Sequence, residues 1–246
     1  MKLPRHFHNL LEYYRWLRIQ AKSDYVDVFP TTSTRLGANY LTILCLILGC
    51  AMCMSNICAV KIWQIGPLIL DGGFLLFPIT YVVTDILVEI FYRKYANRVI
   101  FWCCLANVGC FLALQLTKYL PAAPGASQVD IASSLGLSSR IFIASVIATI
   151  VSSRVNNLVY DWLRPYTKSL PGTSLRAWAS SFVAHIPDSA LFTVLAFAGR
   201  QSTAQGLFQQ AVTSYLSAFA VETLFIPITT IVAVYLKVQI RQAQYT

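Results

Sequence analysis

Long apolar segments constrain the fold of this chain more than any other feature of its sequence. They cover about Ala38–Lys61, Gly73–Tyr92, Val99–Thr117, Leu137–Tyr160, Leu175–Gly199 and Ala211–Lys237. Each has the roughly 20 residues that a helix needs to cross a hydrocarbon core about 30 Å thick. Charged residues make up only 12% of the chain, against about 25% in soluble domains. The sequence therefore predicts an all-α membrane protein with a six-helix transmembrane bundle over residues 37–240.

The positions of lysine and arginine predict how the bundle is oriented. Most of these 19 residues fall in the amino-terminal segment, in the connections after the second and fourth spans, and in the carboxyl-terminal tail. Lysine and arginine are enriched in cytoplasmic loops, so both termini should be cytoplasmic. The same bias accounts for the net charge of +9, and we expect no nucleic-acid partner.

Residues 1–36 form a basic segment that precedes the first span. Within it, His8–Gln20 mixes leucine, tyrosine and tryptophan with arginine. This pattern fits a helix lying on the cytoplasmic face of the membrane, but an ordinary interfacial extension is the interpretation we favour. Two outward connections are expected at Trp63–Phe74 and Pro121–Gly136, because both contain proline and glycine turn signals.

Acidic residues inside the predicted spans are the main candidates for function. Asp85 and Glu89 stand four residues apart, so on a helix they share one face. Away from the span ends, the other charged or basic residues are Arg154, His185, Asp188 and Glu222. A carboxylate at the centre of a membrane helix costs roughly 2.5–3.5 kcal/mol on insertion scales. We therefore expect these groups to converge on the bundle interior, with Arg154 neutralising one of the acids.

Two interpretations of the Asp85–Glu89 face stay open at this point. The acids belong either to a polar cavity that binds a small molecule, or to a structural ion pair with Arg154 or a cap for the basic connection. Carboxylates and amides suit a ligand rich in N–H donors, such as a guanine-like base, and Phe77 and Tyr81 offer rings for stacking. The pattern alone fits a cationic amine or a proton-coupled substrate as well.

The stretch Phe77–Ile100, with the sequence FPITYVVTDILVEIFYRKYANRVI, resembles the signature of the queuosine precursor transporter family, also called the vitamin uptake transporter family. The resemblance extends to Ser55–Lys61 and Leu175–Gly199, and in all it covers about Ser55–Lys237. It implies six helices, a bundle similar to the substrate-binding subunits of energy-coupling-factor transporters, and import of 7-deazaguanine bases through the bacterial inner membrane. The positions carried over as binding residues are Asn56, Asp85, Glu89 and Asp188.

The chain departs from the family pattern at several positions. The family's tyrosine–glycine pair after Glu89 appears here as Phe91-Tyr92, without the glycine. A glutamine of the family aligns with Arg154, an aspartate with Asn157, and a lysine with Glu222. We therefore expect Arg154 and Glu222 to have exchanged a charge between helices, with Glu222 and His185 joining the binding residues.

Alternative functions are not excluded by the residues alone. The chain also fits a substrate-binding subunit that needs a partner ATPase, and an intramembrane enzyme built on His185 and neighbouring acids. The spans contain no H-x-x-x-H, H-E-x-x-H or G-x-S-x-G motif, so we expect no catalysis, no metal and no cofactor. The expected partners are the bilayer and a small nucleobase-like molecule, and a homo-oligomer stays open.

Overall fold

The computed structural model describes residues 35–58, 61–65, 68–121, 139–167, 170–199 and 203–243. Its helices are α1 (Arg35–Cys58), α2 (Phe77–Leu116), α3 (Ser139–Leu163), α4 (Leu170–Phe197) and α5 (Ala204–Gln242). Within this part of the chain, these five helices are long and apolar enough to cross a membrane. The chain is therefore a multi-pass membrane protein, and the expected interfacial helix at His8–Gln20 lies outside the described residues.

A short hairpin joins α1 to α2. Strand β1 (Ile62–Ile65) pairs antiparallel with strand β2 (Leu68–Asp71), and the 3₁₀ turn Gly72–Leu75 leads into α2. The hairpin occupies most of the connection expected at Trp63–Phe74, while the connection at Pro121–Gly136 lies almost entirely outside the described residues. The two strands were not predicted, because the apolar residues on both sides of Gly66-Pro67 fit a loop with turn signals.

Helix α2 combines the second and third predicted spans in one element of 40 residues. A straight helix of that length would measure about 60 Å, twice the hydrocarbon thickness. The helix is broken at Tyr92, whose φ of 63° and ψ of 163° are non-helical. We call residues 77–91 the first limb of α2 and residues 93–116 the second limb.

The two limbs occupy different places in the bundle. Every residue from 83 to 91 is buried, which is typical of a helix at the centre of a protein. The second limb contacts α3 at both ends: Asn157 Nδ2 donates to Asn97 Oδ1 at 2.8 Å, and Phe111 stacks on Phe142 with ring centroids 4.1 Å apart. The second limb therefore runs antiparallel to α3.

Helices α3 and α4 form an antiparallel pair, and hydrogen bonds connect the start of α3 to the end of α4. The guanidinium of Arg140 donates to the carbonyl oxygens of Leu195 at 2.6 Å and Ala198 at 2.5 Å, so it satisfies carbonyls that the end of α4 leaves without helical partners. Gly199 follows with a φ of +78°, a conformation that glycine adopts at helix ends without steric cost.

Candidate functional site

The four acids singled out from the sequence are all buried. Their exposed fractions are 1% for Asp85, 2% for Glu89, 7% for Asp188 and 2% for Glu222. They divide into two groups with different partners. Glu89 is surrounded by cations, whereas the other three carboxylates are bonded to amide, hydroxyl and imidazole groups.

Glu89 is the centre of an ion cluster that joins four helices. Its carboxylate accepts hydrogen bonds from Arg176 Nη2 at 2.7 Å, Lys237 Nζ at 2.9 Å and the Tyr160 hydroxyl at 3.2 Å. Arg164 Nη1 lies 4.0 Å from the same carboxylate. A buried charge is tolerated when it is paired and hydrogen-bonded in this way. We call Glu89 with these four partners the Glu89 cluster, and it ties α2 to α3, α4 and α5.

The Glu89 cluster also supports the break at Tyr92. Arg164 Nη2 donates to the Val88 carbonyl at 2.5 Å, and Nη1 donates to the Glu89 carbonyl at 3.3 Å. A continuous helix would satisfy these two oxygens with the backbone N–H groups four residues later. The Arg164 guanidinium also lies 4.4 Å from the centre of the Tyr92 ring. Arg164 thus caps the first limb and stacks on the residue at which the limb ends.

The expectation that Arg154 neutralises a buried acid is wrong. Its side chain is exposed on the surface of α3, and no acid among the described residues forms an ion pair with it. Ser152 and Asn156, two positions on either side, are fully buried. At about 100° per residue, Arg154 is turned some 200° from both of them, so it lies on the opposite face of the helix. The charge exchange expected between Arg154 and Glu222 is not formed.

Two polar stripes face each other across α2 and α3. Tyr81, Asp85 and Glu89 recur every four residues on the first limb, and their partners Ser152, Asn156 and Tyr160 recur every four residues on α3. Asn156 Nδ2 donates to Asp85 Oδ1 at 2.7 Å, the Tyr160 hydroxyl donates to Glu89, and the Tyr81 hydroxyl lies beside Ser152. The offset is 71 residues in all three pairs, so the first limb and α3 run parallel.

Helices α4 and α5 supply the remaining groups of the polar interior. Ser181, His185 and Asp188 lie on one face of α4 and are buried. Glu222 of α5 accepts from Ser181 Oγ at 2.5 Å, and its other oxygen lies 2.6 Å from His185 Nε2. Ser152 Oγ donates to Asp188 Oδ1 at 3.0 Å. The His185 ring packs against Tyr81, with centroids 4.5 Å apart.

A small cavity adjoins this polar interior. It measures about 10 Å³ and is lined by Phe77, Tyr81, Ser152 and neighbouring residues of α1, α2 and α3. That volume holds roughly one water molecule. Two buried polar atoms nearby, Asn156 Oδ1 and His185 Nδ1, have no hydrogen-bond partner among the described residues. Buried polar groups are nearly always satisfied, so these atoms mark a place where a small molecule or water completes the network.

Asn56 and Phe77 complete the set of candidate residues from the sequence. Asn56 Oδ1 accepts from Ser145 Oγ at 2.9 Å, which ties the end of α1 to α3. The Phe77 ring meets Tyr81 edge to face at 5.3 Å and lines the cavity. The structure thus brings Phe77, Tyr81, Asp85, His185, Asp188 and Glu222 to one region, whereas Glu89 is engaged by cations and Arg154 lies outside the bundle interior.

Asn156 was recognised from the sequence as a polar residue inside the fourth span, but its pairing with Asp85 was not predicted. Several other members of these networks were not assigned to them, namely Ser152, Tyr160, Arg176, Ser181 and Lys237. A signal for the α3 residues was available, because Ser152, Asn156 and Tyr160 follow helical spacing in an apolar span. Arg176 was counted as a loop cation, yet its side chain is 0% exposed. It lies close to the start of a predicted span, where sequence alone does not separate a loop residue from a buried one.

Part of the chain matches the model of a known protein family. Residues 71–232, about two thirds of the chain, match the family model described as "Putative vitamin uptake transporter". No curated protein and no solved structure matches the chain. The matched region contains the polar interior and most of the Glu89 cluster. The chain belongs to the vitamin uptake transporter family.

Proposed function

We propose that this transporter imports a 7-deazaguanine base, a precursor of queuosine, across the bacterial inner membrane for tRNA modification. The observation that carries the proposal is the group of buried acids without cations. Within the described residues, no lysine or arginine forms an ion pair with Asp85, Asp188 or Glu222. Carboxylates that are not committed to protein cations can accept hydrogen bonds from a ligand.

Asp85 and Asp188 are the groups that we propose to bind the base. Asp85 is held by Asn156 through one carboxylate oxygen, and Asp188 is held by Ser152 and by the Tyr81 hydroxyl. A carboxylate has about four acceptor positions, so each acid can accept further bonds from adjacent ring and exocyclic N–H groups of a guanine-like base. Asn156 Oδ1 offers an additional acceptor in the same region. Glu89 and Asn56 support the site by fixing α2 and α1.

The cavity implies that the helices separate when the base binds. Ligand pockets usually measure about 300–1,000 Å³, far more than the 10 Å³ present here. Phe77 and Tyr81 line this cavity, so their rings would be the first to contact a base that enters it. A flat heterocycle could then stack on Tyr81 while its edge reaches Asp85 one turn further along α2.

The proposed topology has six crossings, with both termini in the cytoplasm. The first limb of α2 runs parallel to α3 and the second limb runs antiparallel to it, which supports two crossings within α2. The break at Tyr92 is followed by the exposed cations Arg93, Lys94 and Arg98. A basic turn at this position supports a cytoplasmic location for the Tyr92 end of the bundle.

The test is salvage of queuosine in bacterial cells that cannot synthesise its precursors. Cells carrying the wild-type protein, Asp85→Asn or the control Asp161→Asn are grown with limiting 7-cyano-7-deazaguanine, and queuosine in their tRNA is measured. Asp161 undergoes the same chemical change, but it is partly exposed and lies outside the group of acids without cations; it pairs with Arg164, and the asparagine oxygen can still accept a hydrogen bond from that guanidinium. We expect salvage by wild type and by Asp161→Asn, and its loss in Asp85→Asn.

Two outcomes would count against the proposal in different ways. No salvage by wild-type protein that is present in the membrane would overturn the proposed substrate. Salvage by Asp85→Asn at the wild-type rate would remove Asp85 from the binding site. Protein amounts in the membrane fraction must be compared, because a variant that is degraded would give the same low signal as one that does not bind.

A further inference from the structure

His185 and Glu222 form a buried acid–base pair. The proposed binding of the base through Asp85 and Asp188 gives this pair no role. His185 lies on α4 and is 0% exposed, and Glu222 lies on α5 and is 2% exposed. Their nearest side-chain atoms are 2.6 Å apart, a length typical of a hydrogen bond that involves a charged group. The pair therefore joins two helices through one short, proton-bearing contact.

The charges around this pair are unbalanced. The titratable groups that face it are Tyr81 and Asp85 of α2 and Asp188 of α4. Glu89 is also on α2, but it is engaged by the cations of its own cluster. Asp85, Asp188 and Glu222 of the pair together give this region three carboxylates, and His185 is the basic side chain beside them within the part of the chain that the structure describes. Unpaired charges are strongly disfavoured in a low-dielectric interior, so a charge gained or lost in this region has a large electrostatic effect.

One proton changes the net charge of the pair by one unit. With a neutral imidazole and an ionised Glu222, the pair is negative; with one proton added, it is neutral overall. Ser181 donates to the other Glu222 oxygen at 2.5 Å, which holds the carboxylate in place in both states. His185 Nδ1 has no partner among the described residues, so a second nitrogen is available to exchange a proton with a water molecule.

The two helices joined by the pair contain internal prolines. Pro187 lies two residues after His185 in α4, and Pro227 lies five residues after Glu222 in α5. Proline removes a backbone hydrogen bond and bends a helix, and membrane helices tolerate such sites where neighbouring groups compensate. A change of charge at the pair therefore acts on the contact between two helices that each contain a proline close to it.

We propose that the His185–Glu222 pair carries the proton that drives import, so that the transporter is a proton–base symporter. The inference rests on the proposed function. The proton enters from the side of higher proton concentration, binds to the pair while the base binds beside it, and leaves with the base on the other side. No covalent bond of the base changes, and one proton moves with each molecule of base.

The test uses the full-length protein in liposomes with radiolabelled 7-cyano-7-deazaguanine and the membrane potential clamped at zero. Two reactions are measured for each protein: accumulation driven by an inward proton gradient, and exchange of labelled for unlabelled base without a gradient. For one proton per base, a gradient of about one pH unit sustains about tenfold accumulation. A protonophore should abolish this accumulation in the wild-type protein and leave its exchange intact.

The informative variants are Glu222→Gln and His185→Gln, with Asp161→Asn as the matched control. We expect both site variants to lose gradient-driven accumulation to a much greater extent than exchange, because the coupling proton has lost its binding site while the proposed contacts to the base, Asp85 and Asp188, are unchanged. The control should accumulate base like wild type. Melting temperatures of the purified proteins show whether each variant is folded.

The outcomes separate the two proposals. Exchange by wild type without gradient-driven accumulation overturns the symport inference alone, and so does full accumulation by both site variants. Loss of exchange in folded Glu222→Gln and His185→Gln assigns the pair to base binding and also overturns the inference. Absence of exchange in the wild-type protein overturns the proposed function and the inference together.

Discussion

Replacing Tyr92 by glycine and by alanine tests the backbone break that divides α2. A non-glycine residue held in a sparsely populated region of φ and ψ costs about 1–3 kcal/mol, and Tyr92 has a φ of 63° and a ψ of 163°. Glycine lacks the Cβ atom that causes this cost, but it loses more backbone freedom on folding, about 0.5–1 kcal/mol relative to alanine. We therefore expect Tyr92→Gly to be more stable than Tyr92→Ala by about 1–2 kcal/mol.

The comparison between these two variants removes the contribution of the ring, because both lack its contact with Arg164. The free energy of unfolding is measured by denaturant titration in detergent micelles. Ala106→Gly is the control, since Ala106 is exposed within the second limb and glycine there should cost about 1 kcal/mol. If Tyr92→Ala were as stable as Tyr92→Gly or more stable, the break at Tyr92 would not exist in the folded protein.

Two further substitutions test the electrostatic assignments by the same unfolding measurement. Glu89→Gln should lower the free energy of unfolding by about 3–5 kcal/mol, because it removes the anion that pairs with buried Arg176. A loss below about 1 kcal/mol would contradict a structural role for the Glu89 cluster. Arg154→Leu should change the free energy of unfolding by less than about 0.5 kcal/mol, since the side chain is exposed and has no acidic partner among the described residues; a large loss would place Arg154 in the interior after all.

The membrane-spanning helices could be predicted from the sequence because their signal is local. Each apolar run of about 20 residues specifies a helix without reference to the rest of the chain. The second and third runs both fall within α2, and their continuity through Tyr92 was not predicted. Basic residues after Tyr92 indicate a turn. A helix that is broken at a single residue depends instead on Arg164, which caps the carbonyl oxygens of Val88 and Glu89 and is distant from them in sequence.

The candidate site was only partly accessible from the sequence. Helical spacing placed Asp85 and Glu89 on one face. The same spacing puts Arg154 and Asn156 on opposite faces of α3, so it could also have predicted that Arg154 points away from the acids. Spacing does not identify the partner of each acid, because that depends on which helices are neighbours and on their register. Glu89 meets Arg176 and Asp85 meets Asn156 only once α2, α3 and α4 have packed.

Our central proposal is that acids from separate helices bind a flat base in one shared interior. Equilibrium binding of the base to the purified protein tests this proposal directly. Labelled 7-cyano-7-deazaguanine is titrated against wild type, Asp85→Asn, Asp188→Asn and the control Asp161→Asn. Hydrogen bonds to charged groups contribute about 1.5–3 kcal/mol, so each site variant should bind at least about tenfold more weakly than wild type, and the control should bind equally. Equal affinity of all four proteins for the base, or no binding by wild type, would contradict the account.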